Sequence, residues 1–283
     1  MKYTICILLF AFANLESKAH PGVGIVQDSK GNVFYTDLKQ VWRISPDGKK
    51  SVVVPNVHTH ELYLDESDNL FGEHLWYNGE QRNTWGFYVW KLNSAGKVEK
   101  VIPDKEGFRE DYSFVRDHFG RMYWADRSNP CQKVVRKNAD NTQTIMEPHC
   151  FENIRKIETT DDGTIFLIDF QDVKRIDKNG KLTTLGSKIA NKNWTKSTIE
   201  NQNSVMSLWT DKSGNLYTAV TSEHVIKKFG PDGKEEIAFK ASFPWSPSGG
   251  MIDKNGNLWV LECTITNDVR VEKIGPGNKT TSY

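Results

Sequence analysis

One phrase recurs six times along the chain. Apolar residues run into a tight turn built on Asp, Gly or Asn, and apolar and aromatic residues follow. The copies are GIVQDSKGNVFYTD (24–37), ELYLDESDNLFGEH (61–74), SFVRDHFGRMYWAD (113–126), KIETTDDGTIFLID (156–169), SLWTDKSGNLYTAV (207–220) and GMIDKNGNLWVLE (250–262). Each reads as two short alternating strands joined by a turn, the signature of a hairpin. A second hairpin follows each copy, with turns at SPDGK (45–49), NSAGK (93–97), NADNT (138–142), DKNGK (177–181), GPDGK (230–234) and GPGNK (275–279). Two hairpins make a four-stranded antiparallel sheet. Six such sheets predict an all-β, six-bladed β-propeller, because repeats of this length mean blades or solenoid units.

The first residues read as a targeting segment. Lys2 supplies positive charge, Ile5 to Ala13 form a short apolar core, and Ser17-Lys18-Ala19 offers small residues for cleavage. A signal peptide over 1–19 and a propeller over 20–283 are therefore expected, with blades near 20–55, 56–104, 105–147, 148–188, 189–241 and 242–283. That allots about 44 residues to each blade, a usual size. The apolar run is shorter than the roughly 20 residues that span a bilayer. The protein is expected to be exported, periplasmic or extracellular, without membrane insertion.

The formal net charge is +1, and removing the leader brings basic and acidic residues into balance. A charge-mixed surface argues against nucleic-acid binding and against docking on an anionic membrane. A monomer is expected. Cys131, Cys150 and Cys263 remain after cleavage. Cys131 and Cys150 flank the outer hairpin of blade 3 and could pair in an oxidising compartment, or all three thiols could stay buried and free.

The repeat phase assigns loops to faces. The turns within each hairpin are short and uniform, whereas the connections between hairpins carry the extra length, at 75–87, 103–112, 127–131, 147–154, 189–203 and 240–249. Insertions gathered on one face mark it as the binding face. Trp76, Tyr77, Trp85, Trp194 and Trp245 fall in these connections. Such aromatics could pin the loops to the body. As a group they favour a small organic or sugar-like ligand, with Trp85 a contact for it.

Three histidines lie in NVHTHELYLDESDNLFGEH (56–74). Pairing the two strands about the turn at 65–69 sets Leu64 opposite Leu70 and His60 opposite His74. Residues directly opposite share a face. His58 shares it too if the strand begins there, while Glu61 and Glu73 point the other way. Three imidazoles in this pattern would suit a metal ion at His58, His60 and His74, or base catalysis by His60 and His74. A hydrogen-bonded polar set at a blade end would use the same residues.

Equivalent positions in the other blades sharpen this. The ends of the second strands carry Asp37, His74, Asp126, Asp169, Val220 and Glu262, and a recurring acid there caps the following turn. The starts of the first strands carry Val23, His60, Tyr112, Arg155, Met206 and Ser248, which should ring the channel mouth. Tyr112, Arg155 and Ser248 are candidate substrate contacts, with Arg155 placed to bind a carboxylate or phosphate.

Blades of the form D-x-x-G-N-L-Y-x-x-[DE] with D-G-K outer turns resemble NHL-repeat proteins and the regucalcin and gluconolactonase (SMP-30-like) propellers. The resemblance covers nearly all of the chain beyond the leader. It implies a divalent metal (Zn, Mn, Ca or Cu) in the central channel, held through Glu, Asn and Asp at first-strand starts. This chain has Val23, His60, Tyr112, Arg155, Met206 and Ser248 there instead. The histidines are also similar in kind to those of virginiamycin B lyase-like and peptidyl-hydroxyglycine lyase propellers. The expected function is a metal-assisted hydrolase (lactonase-like) or lyase acting on a small organic substrate. The alternative is a non-catalytic NHL-type scaffold that binds a glycan, peptide or protein.

Overall fold

The computed structural model describes residues 21–107, 112–190 and 204–283. They form six antiparallel sheets whose strand order follows chain order. Blade 1 is β1 (Ile25–Gln27), β2 (Val33–Thr36), β3 (Gln40–Ile44) and β4 (Lys50–Pro55). Blade 2 is β5 (Leu62–Leu64), β6 (Leu70–Tyr77), β7 (Trp85–Leu92) and β8 (Val98–Glu106). Blade 3 is β9 (Met122–Asp126), β10 (Lys133–Lys137) and β11 (Gln143–Ile145). Blade 4 is β12 (Ile154–Thr159), β13 (Ile165–Asp169), β14 (Asp172–Ile176) and β15 (Leu182–Gly186). Blade 5 is β16 (Ser207–Thr210), β17 (Leu216–Val220), β18 (Val225–Phe229) and β19 (Glu235–Lys240). Blade 6 is β20 (Ser246–Ile252), β21 (Leu258–Cys263), β22 (Val269–Ile274) and β23 (Thr280–Ser282). The fold is the six-bladed β-propeller that the repeat predicts.

The repeated turn works through its first Asp. Asp28 Oδ1 accepts the Asn32 N–H at 2.7 Å, and Gly31 takes φ 88°. Asp211 with Asn215 and Asp253 with Asn257 repeat this bond. The left-handed backbone suits glycine, which has no Cβ to strain there, and the Asx bond fixes the hairpin register.

The core is divided among the blade interfaces. Phe34, Leu62 and Trp90 join blades 1 and 2, and Tyr123, Ile157 and Ile165 join blades 3 and 4. Phe166, Leu208 and Phe229 join blades 4 and 5, and Trp209, Ala219 and Val260 join blades 5 and 6. Ile25, Tyr35, Trp259 and Leu261 join blade 6 back to blade 1. Each such aliphatic or aromatic side chain contributes about 1.5–3 kcal/mol by burial. The ring closes without strand exchange. Ser248 Oγ donates to Gly22 O at 2.8 Å across the seam, and a Cβ on Gly249 would lie 2.3 Å from Val23 O. Only glycine admits so close a backbone approach.

Blade 3 is the irregular one. Its inner segment makes a single bridge, Arg116 to Met122. Ser113 Oγ accepts the Val115 N–H at 3.0 Å, so a local bond takes a donor that a regular ladder would use. Among the described residues, the interface between blades 2 and 3 has only Phe87, Val89 and Phe114 as buried hydrophobic members. Cys131 and Cys150 form a disulfide across the outer hairpin of blade 3, and Cys263 is buried and free. The pairing alternative is the one adopted.

Candidate functional site

The inner strands of the blades surround a channel, and its mouth opens into a cavity of about 340 Å³. Val23, His60, Tyr112, Arg155 and Met206 all line it, five of the six first-strand starts. Ser248 is not among the lining residues; it is fully buried and spends its hydroxyl on the seam between blades 6 and 1. Four charged residues not singled out as ligands also line the mouth: Glu61, Glu73, Arg127 and Lys156.

Below the mouth lies a second cavity of about 420 Å³, with lining residues from all six blades. Glu61 and Lys156 border both cavities. Lys156 Nζ from blade 4 meets Glu61 Oε1 from blade 2 at 2.6 Å, so an ion pair marks the junction. Glu158 lies deeper. Burial pushes its carboxyl up to about 7, with Lys156 opposing and Glu61 adding to the rise.

The histidines divide into two roles. Leu64 pairs with Leu70 as the hairpin pattern predicts, but β5 begins only at Leu62, so the ladder does not reach back to His60. His60 bonds instead to blade 1, where its carbonyl accepts the N–H groups of Val23 and Gly24. Glu73 stays in the regular ladder of β6 and β7, and His60, outside any ladder, meets it. Glu73 Oε1 accepts the His60 N–H at 2.8 Å and lies 3.5 Å from His60 Nδ1. The break before Leu62 removes the strict alternation that would have kept the two apart.

His74 does a different job. Its Nδ1 accepts the His58 backbone N–H at 2.9 Å, and its ring stacks on Tyr88 and Trp76. Burial, with the Lys100 charge adding, holds its pKa below the usual imidazole range. The His58 and His60 rings meet edge to face at 4.7 Å. His58, His60 and His74 are not brought together as the ligand set expected of them. Among the described residues, no three His, Cys, Asp or Glu side chains converge to hold a metal ion.

Of the recurring acids, Asp37 and Asp126 cap the turn that follows, while Asp169 and Glu262 bind other partners. Asp37 accepts from the N–H groups of Lys39 and Gln40 and from Trp42 Nε1. Asp126 accepts from Ser128, and Asp169 from the N–H groups of Glu152 and Asn153 and from Lys174 Nζ. Glu262 is fully buried against Arg270 Nε at 2.6 Å, and burial raises its pKa despite that partner.

Residues 75–87, expected as a connection, are partly strand. β6 and β7 run to Tyr77 and from Trp85, leaving only 78–84 as the turn. Trp85 packs against Tyr77, tilted, at 5.1 Å on the β6–β7 hairpin and is not among the residues lining either channel cavity. Arg270 lies 4.4 Å from the Trp245 ring. Trp194 lies outside the described residues, as does the segment 1–19.

Arg127 is the residue that the repeat pattern missed. It follows β9 directly, and its Nε and Nη2 both donate to Ile154 O, at 3.2 and 2.7 Å. Arg127 and Arg155 line the same cavity, and burial, with the Arg127 charge adding, lowers the Arg155 pKa. A signal for the channel charges was available in blade 4. Glu158 stands at an inner-strand position where the other blades carry Val26, Tyr63, Val115, Trp209 and Met251.

Solved structures share this fold. A streptogramin B lyase matches with TM-score 0.54 and 15% identity, over 92% of this chain and 82% of that one. A gluconolactonase from Xanthomonas campestris matches with TM-score 0.56 and 12% identity, over 85% and 83% of the two chains. A calcium-binding regucalcin from Agrobacterium tumefaciens matches with TM-score 0.55 and 12% identity, over 85% and 81%. No protein-family model matches the sequence, and no curated protein matches it. The chain is thus a six-bladed propeller of the architecture shared by regucalcin, gluconolactonase and streptogramin lyase structures. At these identities the likeness establishes the fold, and function has to be argued from the site.

Proposed function

We propose that the protein is an exported hydrolase or lyase that acts on a small organic molecule at the channel mouth. His60 serves as general base and Glu73 positions it. The carrying observation is their pairing on the wall of a cavity that Tyr112 and Arg155 also line. A carboxylate beside Nδ1 favours the proton on that nitrogen and leaves Nε2 basic. A base of this kind can take a proton from an attacking water or from a carbon next to a carbonyl. His74, engaged with the His58 N–H, supports the loop that carries His60. Export is supported by the leader-like segment and by the Cys131–Cys150 disulfide, a bond of oxidising compartments.

The test is a turnover screen of lactones, esters and β-elimination substrates with purified protein and with His60→Gln. The expected result is a rate loss of roughly 100- to 10,000-fold in the variant, with binding retained. An undiminished rate in His60→Gln would overturn the assignment. The β6–β7 hairpin of blade 2, with Tyr77 and Trp85 packed together near its tip, supports a second reading, a non-catalytic scaffold for a glycan or peptide. Absence of turnover combined with glycan binding that Trp85→Ala abolishes would favour it.

A further inference from the structure

Taking the channel mouth as the working site, we infer that its ligand is a monoanion carrying one planar carboxylate, clamped between Arg127 and Arg155. The two guanidinium groups come from different blades, one after β9 and one on β12. Both line the mouth cavity, where the Arg127 charge opposes that of Arg155 and adds to burial in lowering its pKa. Arg127 is fixed in orientation by donating through Nε and Nη2 to Ile154 O, the carbonyl immediately before Arg155. That bond sets the Arg127 guanidinium beside the backbone from which the Arg155 side chain extends. An anion between them relieves the repulsion, and the flat fork of each suits the two oxygens of a carboxylate.

The charge of the cavity limits the ligand further. Among the described residues, Arg127, Arg155 and Lys156 face Glu61 and Glu73 across the same space. Three positive groups against two negative ones favour a single negative charge, and the two acids oppose a dianion such as phosphate. A cavity of about 340 Å³ accommodates a small organic acid and little more. His60 lies on the same wall, so a carboxylate on the arginines fixes the rest of the molecule against the base.

The test is titration calorimetry at low salt with phenylacetate and gluconate, each compared with its neutral amide, and with inorganic phosphate. Each carboxylate is expected to bind roughly tenfold or more tightly than its amide, and more tightly than phosphate. Arg155→Gln and Arg127→Gln should erase the preference. Arg155→Lys and Arg127→Lys, which keep the charge and guard against misfolding, should retain only part of it. His60→Gln should leave it intact, so a failed base assignment and a failed clamp give different results. Equal binding of acid and amide, tighter binding of phosphate, no carboxylate binding at millimolar concentration, or an unchanged preference in the glutamine variants would overturn the inference.

Discussion

Blades 2 and 4 meet the same local need with different chemistry. In each, the residue at the end of the second strand accepts a backbone N–H from sixteen residues upstream. In blade 4 the acceptor is Asp169, a buried carboxylate that also holds the Glu152 N–H and Lys174 Nζ. In blade 2 it is Nδ1 of His74, between Tyr88 and Trp76. A histidine that departs from a repeat consensus of acids is thus one acceptor replaced by another. The histidine suited to chemistry is His60, which lies outside the strand ladder and so meets Glu73 of β6.

This comparison can be broken at several points. Asp169→Ala should do the most damage, because it strands two backbone donors and the mostly buried Lys174 ammonium together. A loss of about 3–5 kcal/mol is expected in urea unfolding. If the loss is no larger than that of His74→Ala, the two acceptors are equivalent and the contrast between the blades fails.

Glu158, also in blade 4, should give the next largest effect. Its carboxyl is raised from an ordinary 4.5 to about 7, so the folded chain holds a proton that the unfolded chain releases. Stability therefore falls as pH rises through that window. Glu158→Gln should remove the fall and leave the variant more stable by about 1–3 kcal/mol near pH 8, with little difference near pH 4. Parallel pH profiles for the variant and the parent would show that Glu158 does not carry the effect.

His74→Ala should cost about 1–2 kcal/mol, the price of one buried donor left without an acceptor. The smallest effect concerns pH. Because the folded pKa of His74 is depressed, its contribution is present above the unfolded value of 6.5 and is lost as pH falls through the lower folded value. His74→Asp restores the acid of the other blades and should remove this acid sensitivity while keeping neutral stability. Thermal melts of the two proteins across mildly acidic pH compare them directly; identical acid profiles would count against His74 as the source.

The sites differ in how far the sequence disclosed them. His60, Tyr112 and Arg155 could be placed at the mouth because they occupy one repeat position, and periodicity fixes the face on which such residues emerge. Ser248 occupies the same position yet belongs to the seam, since the space beside it is filled by the approach of Gly22. His60 was expected on the face opposite to Glu73, but alternation holds only while a ladder persists, and β5 begins only at Leu62. Trp85 was read as a loop residue, but the blade 2 insertion lengthened two strands. Arg127 had no repeat equivalent to draw attention to it.

The sequence alone determined the number of blades, their strand order and the register of the hairpins. These follow from short-range pattern and turn chemistry, which each repeat carries within itself. Only the tertiary structure decided which charges meet. The Lys156–Glu61 pair joins blade 4 to blade 2, and Arg127 approaches Arg155 across the border of blades 3 and 4. Such contacts depend on how complete blades are set around the channel, and that long-range geometry is written in no single repeat.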